Sequence, residues 1–126
     1  MALRIDARIP VQIVADRAAL LDALRAHPGA AILADAPLDP APAGAATLLV
    51  LDPAPPAGLP HPAACACCTG RGPAATALDR LFQARVRGQV PWFTRVLALL
   101  PDAEAQAAVD LALYMDPLAS SRFRPA

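Results

Sequence analysis

Residues 9–34 read IPVQIVADRAALLDALRAHPGAAILA. The first six, Ile9 to Val14, are short and rich in β-branched residues, which predicts a strand. Asp16 stands where a helix N-cap belongs. Leu20, Leu21 and Leu24 then recur at helical spacing between Arg17 and His27. Pro28-Gly29 stops the helix, because neither residue continues one at low cost. Ala30 to Ala34 is a second apolar strand candidate. A strand, a helix and another strand this closely joined set the pattern for the rest of the chain.

That pattern recurs downstream. Residues 36–44 (APLDPAPAG) are too proline-rich for regular structure. Ala46 to Leu51 predicts a third strand, and a second proline-rich run, 52–62, follows it. Both runs read as loops between core elements, not as linkers. Thr69-Gly70-Arg71-Gly72-Pro73 reads as a turn whose proline opens a helix. That helix extends to about Arg87, with Leu78, Leu81, Phe82 and Val86 as its apolar face and Gly88 at its end. Trp92 to Leu100 contains a fourth strand. Asp102 caps a helix from Ala103 to about Tyr114, with Val109, Leu111 and Leu113 expected inside. Asp116-Pro117 starts a last helical turn that ends near Arg122. Alternating strands and helices predict an α/β fold: one domain over residues 1–126, three layers, and a mainly parallel sheet of about four strands.

Composition narrows the function. Eleven acidic residues balance eleven basic ones, and every basic residue is arginine, because lysine is absent. A neutral chain lacks the basic surface that non-specific nucleic-acid binding requires. No apolar run reaches the length of a membrane span. Met1 to Asp6 has no signal-peptide core. The expected setting is therefore the cytoplasm, where cysteines stay as thiols. High Arg, Ala and Pro with no Lys or Asn fits a GC-rich bacterial genome.

All three cysteines fall within four residues, Cys65-Ala66-Cys67-Cys68. Three thiolates this close can grip a soft ion such as zinc, which prefers a tetrahedral sulfur and nitrogen set. Copper(I) would also suit them. His61, four residues upstream, is a candidate fourth ligand. An exposed loop histidine, and buried thiols or a redox pair, are the plainer readings. Thr69-Gly70-Arg71-Gly72 reads as a plain turn, with an anion-binding nest as its alternative. His27 reads as a helix C-terminal residue favoured by the dipole. Trp92 and Phe93 read as core or edge residues, and no serine, histidine and acid form a legible triad.

Cys65-x-Cys67-Cys68-Thr69-x-Arg71-Gly72, followed by Ala77-Leu78-x-x-Leu81, resembles the C-x-C-C segment of CobW-type P-loop GTPases, metallochaperone-like proteins of zinc and cobalt handling. Ile9-Pro10-Val11, Leu20-Leu21-x-Ala23-Leu24 with Ala26-His27-Pro28, Phe93-x-Arg95-Val96, and Asp116-Pro117 with Ser121-Arg122-Phe123-Arg124 resemble other family segments in the family's order. The chain corresponds to the front part of such a domain. The resemblance implies a P-loop-GTPase-like fold and a metal-binding role for the cysteines, with zinc, or copper(I) or cobalt(II), as the ion.

The departures fall on the nucleotide site. The family's G-x-x-x-x-G-K-[ST] loop cradles phosphates with backbone N–H groups, a lysine and a hydroxyl that holds Mg²⁺. Here Ala15-Asp16-Arg17-Ala18-Ala19 replaces it, without glycine and about five residues shorter than that loop. Arg17 stands nearest the lysine's place and Ala18 in place of the hydroxyl. Asp35 could mimic one family acid, but Ala98-Leu99-Leu100-Pro101 replaces the segment carrying another. A chain without lysine cannot supply the family's guanine-reading element. The expectation is a non-catalytic pseudo-GTPase: no catalytic residues, no bound nucleotide, and a metal held by Cys65, Cys67, Cys68 and His61. The alternative is an interaction module that pairs with a second copy of itself or with an intact CobW-type GTPase. An exposed sheet edge and an uncovered apolar face would then be its docking surfaces.

Overall fold

A computed structural model describes residues 6–51 and 72–126. In chain order the elements are β1 (Ile9–Val14), α1 (Arg17–Ala26), β2 (Ala31–Ala34), β3 (Thr47–Val50), α2 (Pro73–Val86), β4 (Val96–Leu99), α3 (Ala103–Met115), α4 (Pro117–Arg122) and β5 (Phe123–Pro125). The strands form one sheet in the order β3-β2-β4-β1-β5. Every pairing is parallel, with Val11 opposite Val96, Ala31 opposite Val96, Ala31 opposite Thr47, and Ile9 opposite Phe123. The expected α/β class and parallel sheet hold, but the described strands number five, not about four. The fifth, β5, follows α4 directly and is only three residues long.

Two-residue periodicity sorts the strand side chains onto two faces. Val14, Ile32, Leu97 and Leu99 face one way and pack against Leu20, Ala23 and Leu24 of α1. Ile9, Val11, Ala31, Leu33, Val96 and Ala98 face the other way and meet α2, α3 and α4 through Leu78, Leu81, Val109, Leu113 and Ala119. The sheet is thus the middle of three layers, with α1 on one face and α2, α3 and α4 on the other. β2 and β4 are buried along their whole length, as central parallel strands must be.

Alanine makes the second face thin. Ala74, Ala75 and Ala77 turn the buried side of α2 toward the core, and such short side chains let helix and sheet approach closely. Larger groups close the amino end of β5. The Phe82 and Phe123 rings meet edge to face with centroids 6.2 Å apart. The Arg122 guanidinium lies 4.3 Å over the Phe82 ring and pairs with Asp79 at 3.1 Å.

Two expected core residues lie outside. Val86 and Leu111 are 50% and 63% exposed. Val109 and Leu111 are two positions apart, roughly 200° around a helix, so only one of them can point inward. Val109, Ala112 and Leu113 take the inward face. Trp92 is also outside, stacked on the Arg85 guanidinium at 3.6 Å, whereas its neighbour Phe93 is buried. Burial lowers the Arg85 pKa from the ordinary guanidinium value. At the start of β1, hydrogen bonds from Arg8 hold the Asp6 carboxyl down to about 2. Asp6 therefore stays ionised at neutral pH, and its contribution fades only as the pH falls below the usual carboxylate range toward that value.

Among the described residues no helix is long and apolar enough to cross a membrane.

Candidate functional site

In an open parallel sheet, ligands bind beyond the carboxyl ends of two neighbouring strands whose connections leave to opposite faces. Here those strands are β1 and β4. They pair directly. The chain leaves β1 for α1 on one face, and leaves β4 for α3 on the other. The crevice is framed by Ala15-Asp16 on one side and Leu100-Pro101-Asp102 on the other.

The local groups there are already engaged. Only Ala15 and Asp16 separate β1 from α1. Asp16 caps α1, its carboxylate accepting from the Ala19 N–H at 2.7 Å. Asp102 caps α3 and accepts from the Glu104 N–H at 3.2 Å. The Leu100 N–H donates to the Val14 carbonyl at 3.0 Å, and the Gln106 amide donates to the Leu100 carbonyl at 2.7 Å. A helix N-terminus attracts an anion through free N–H groups and its positive end. At both termini an aspartate of the chain itself takes that place. Asp35, exposed just past β2, adds a third carboxylate at this end of the sheet. Negative charge at the crevice repels a phosphate.

Arg17, nearest to the place of a phosphate-binding lysine, donates from Nη2 to the Pro40 carbonyl at 2.7 Å. It ties α1 to the proline-rich 36–44 loop. His27 is the C-cap residue of α1, and its N–H donates to the Ala23 carbonyl at 2.9 Å. Ser120 and Ser121 donate their hydroxyls to the Pro117 and Leu118 carbonyls within their own short helix, so neither serine is poised by a base.

The expected metal ligands, Cys65, Cys67, Cys68 and His61, lie outside the described residues, as do Thr69, Gly70 and Arg71. Among the described residues no group of three His, Cys, Asp or Glu side chains could hold a metal ion. The donor chemistry rests on the sequence: three thiols and an imidazole form a set that zinc accepts. The chain leaves β3 at Leu51, whose N–H donates to the Ala34 carbonyl at 2.7 Å. It re-enters the described structure at Gly72, the N-cap of α2, four residues beyond Cys68.

Gly72 lines a cleft of about 570 Å³ between the first turn of α2, the last two turns of α3 and the start of α4. Ala108, Leu111, Ala112, Met115 and Leu118 form its apolar wall. Sequence reasoning missed this cleft because it placed Leu111 inside. The spacing of Val109, Ala112 and Leu113 carried the signal, since those three already complete an inward stripe.

Comparison with known proteins returns no matching family model, no matching curated protein and no matching solved structure.

Proposed function

We propose that this protein is a non-catalytic, CobW-like pseudo-GTPase that binds zinc through Cys65, Cys67 and Cys68, with His61 as fourth ligand, and serves as a metal-handling accessory. The observation that carries the reading is the confinement of all three cysteines to one C-x-C-C run. Three thiolates hold the ion and the imidazole completes a tetrahedral shell. A water or a partner's ligand in place of His61 would leave the fourth position open for transfer.

The β1–α1 connection supports the non-catalytic half. Phosphoryl transfer depends almost wholly on positioning and charge stabilisation. A two-residue turn capped by Asp16 offers no cradle of free N–H groups, and Arg17 is committed to Pro40. Copper(I) and cobalt(II) remain chemically suitable ions for the same thiols. Cytoplasmic residence, with its reducing conditions, would keep those thiols available.

Calorimetry on the reduced protein tests both halves. Zinc should bind with one-to-one stoichiometry and release protons, because thiols must ionise to ligate. GTP with Mg²⁺ should give no binding heat. Absence of zinc binding sinks the metal reading, and micromolar GTP affinity sinks the pseudo-GTPase reading.

A further inference from the structure

Between Asp79 and Asp102 the chain carries four arginines, Arg80, Arg85, Arg87 and Arg95, and no acid. This run forms most of α2 and the connection to β4. In a parallel sheet such a connection returns to the amino ends of the strands. Arg85, Arg87 and Trp92 therefore lie at the end of the sheet opposite Asp16, Asp35 and Asp102. The fold divides a neutral sequence into an acidic end and an arginine-rich end.

Most arginines around the second end are already engaged. Arg8 pairs with Asp6 at 2.9 Å, and Arg124 approaches the same carboxylate at 3.6 Å. Arg25 pairs with Asp22 at 2.9 Å and Arg122 with Asp79 at 3.1 Å. Arg95 donates to the Gln12 side-chain carbonyl at 3.1 Å. Arg85 and Arg87 differ: among the described residues neither guanidinium has an ion pair or a hydrogen bond. Asp52 is the one acid outside the described residues, and Leu51, which precedes it, lies at the opposite end of the sheet.

The Arg85 guanidinium lies 3.6 Å over the Trp92 ring and 5.6 Å from the centre of the Phe93 ring. Its Nε is buried with no hydrogen-bond partner. A charge drawn out of water without a counter-ion is costly, and burial is what lowers the Arg85 pKa. Stacking fixes the plane of the guanidinium, while Trp92 itself stays 64% exposed. A planar guanidinium held on an aromatic face is preorganised to grip a carboxylate through two parallel bonds. Val86 and Arg87, the next residues along, are exposed.

We propose that Arg85, Arg87 and Trp92 form a docking site for an acidic peptide segment of a partner protein. One carboxylate takes the Arg85 fork, a second meets Arg87, and an apolar side chain lies on the open part of the Trp92 indole. Tryptophan and arginine are the residues that most often dominate protein–protein contacts. A nucleic-acid strand needs a row of cations along its backbone and successive stacking rings. Here one exposed indole stands beside two arginines without partners. The acidic far end of the molecule steers an acidic partner toward this end.

Trp92 is the only tryptophan in the chain, so its fluorescence reports on the site without a label. The probe is a peptide of glutamates interrupted by leucines, titrated into the full reduced chain with EDTA present so that zinc plays no part. It should shift the Trp92 emission saturably. Arg85→Gln should weaken binding at least about tenfold, the usual result of losing a charge-assisted hydrogen bond. Arg85→Lys keeps the charge and the aliphatic stem, so it tests the fork without disturbing the fold, and it should also bind several-fold more weakly. Arg25→Gln removes the same charge from a surface pair and should stay within about twofold of wild type. Absence of both an emission change and a binding heat overturns the proposal. So does wild-type affinity in Arg85→Lys, or equal affinity for the same peptide with glutamine in place of glutamate. Oligo-dT or inorganic phosphate binding as tightly as the acidic peptide also overturns it, because the site would then select phosphate and not a peptide.

Discussion

Phe123→Ala should lower the stability of the domain by about 3–5 kcal/mol, the usual cost of truncating a buried phenylalanine. Phe123 is fully buried, contacts Phe82 edge to face, and anchors β5 beside β1. Its loss would open a cavity where α2, α4 and the sheet meet. For a domain whose total stability is about 5–15 kcal/mol, that is about a fifth of the whole or more. In urea, with a slope of about 1–3 kcal/mol/M, the midpoint should fall by at least about 1 M. Val86→Ala is the control: it trims an exposed side chain and should stay within about 0.5 kcal/mol. Equal shifts for the two variants would contradict the placement of β5 and of the aromatic pair.

Cys67→Ser should weaken zinc binding by at least about 100-fold, since even outer-shell partners of metal ligands cost 10–100-fold when removed. A serine hydroxyl does not ionise near neutral pH and is a harder donor than a thiolate. His61→Ala should cost less, because water can enter the fourth position that it leaves. Chelator competition on the reduced proteins measures both. Binding indistinguishable between wild type and Cys67→Ser would remove the thiolates from the site. Thermal unfolding separates a ligand effect from a folding defect: without zinc, the melting temperatures of wild type and Cys67→Ser should agree.

Most elements were legible in the sequence for local reasons. Asp16 and Asp102 mark helix starts because a carboxylate accepts from free N–H groups one turn into a helix. Both do so here. Pro28-Gly29 and Gly88 mark helix ends, and Gly29 and Gly88 adopt positive φ, of 82° and 70°. β5 was not legible, because three residues containing a proline carry no period. It exists through long-range packing of Phe123 and pairing with β1. The burial error at Leu111 has a related cause. Leucine reads as core from composition, and the angular position that turns it outward emerges only once Val109, Ala112 and Leu113 are fixed inward.

The candidate site divides along the same line. A lost phosphate loop could be inferred from missing glycines and lysine, since that chemistry depends on residue type. The engagement of Arg17 with Pro40 could not, since it depends on where the 36–44 loop returns. The thiolate cluster remains a statement about residue type and spacing, so metal geometry has to come from the metal itself.

X-ray absorption at the zinc edge of the loaded, reduced protein is the most direct test. The proposed site predicts a first shell of three sulfur atoms near ~2.3 Å and one lighter ligand near ~2.0 Å. A shell of nitrogen and oxygen alone would contradict it.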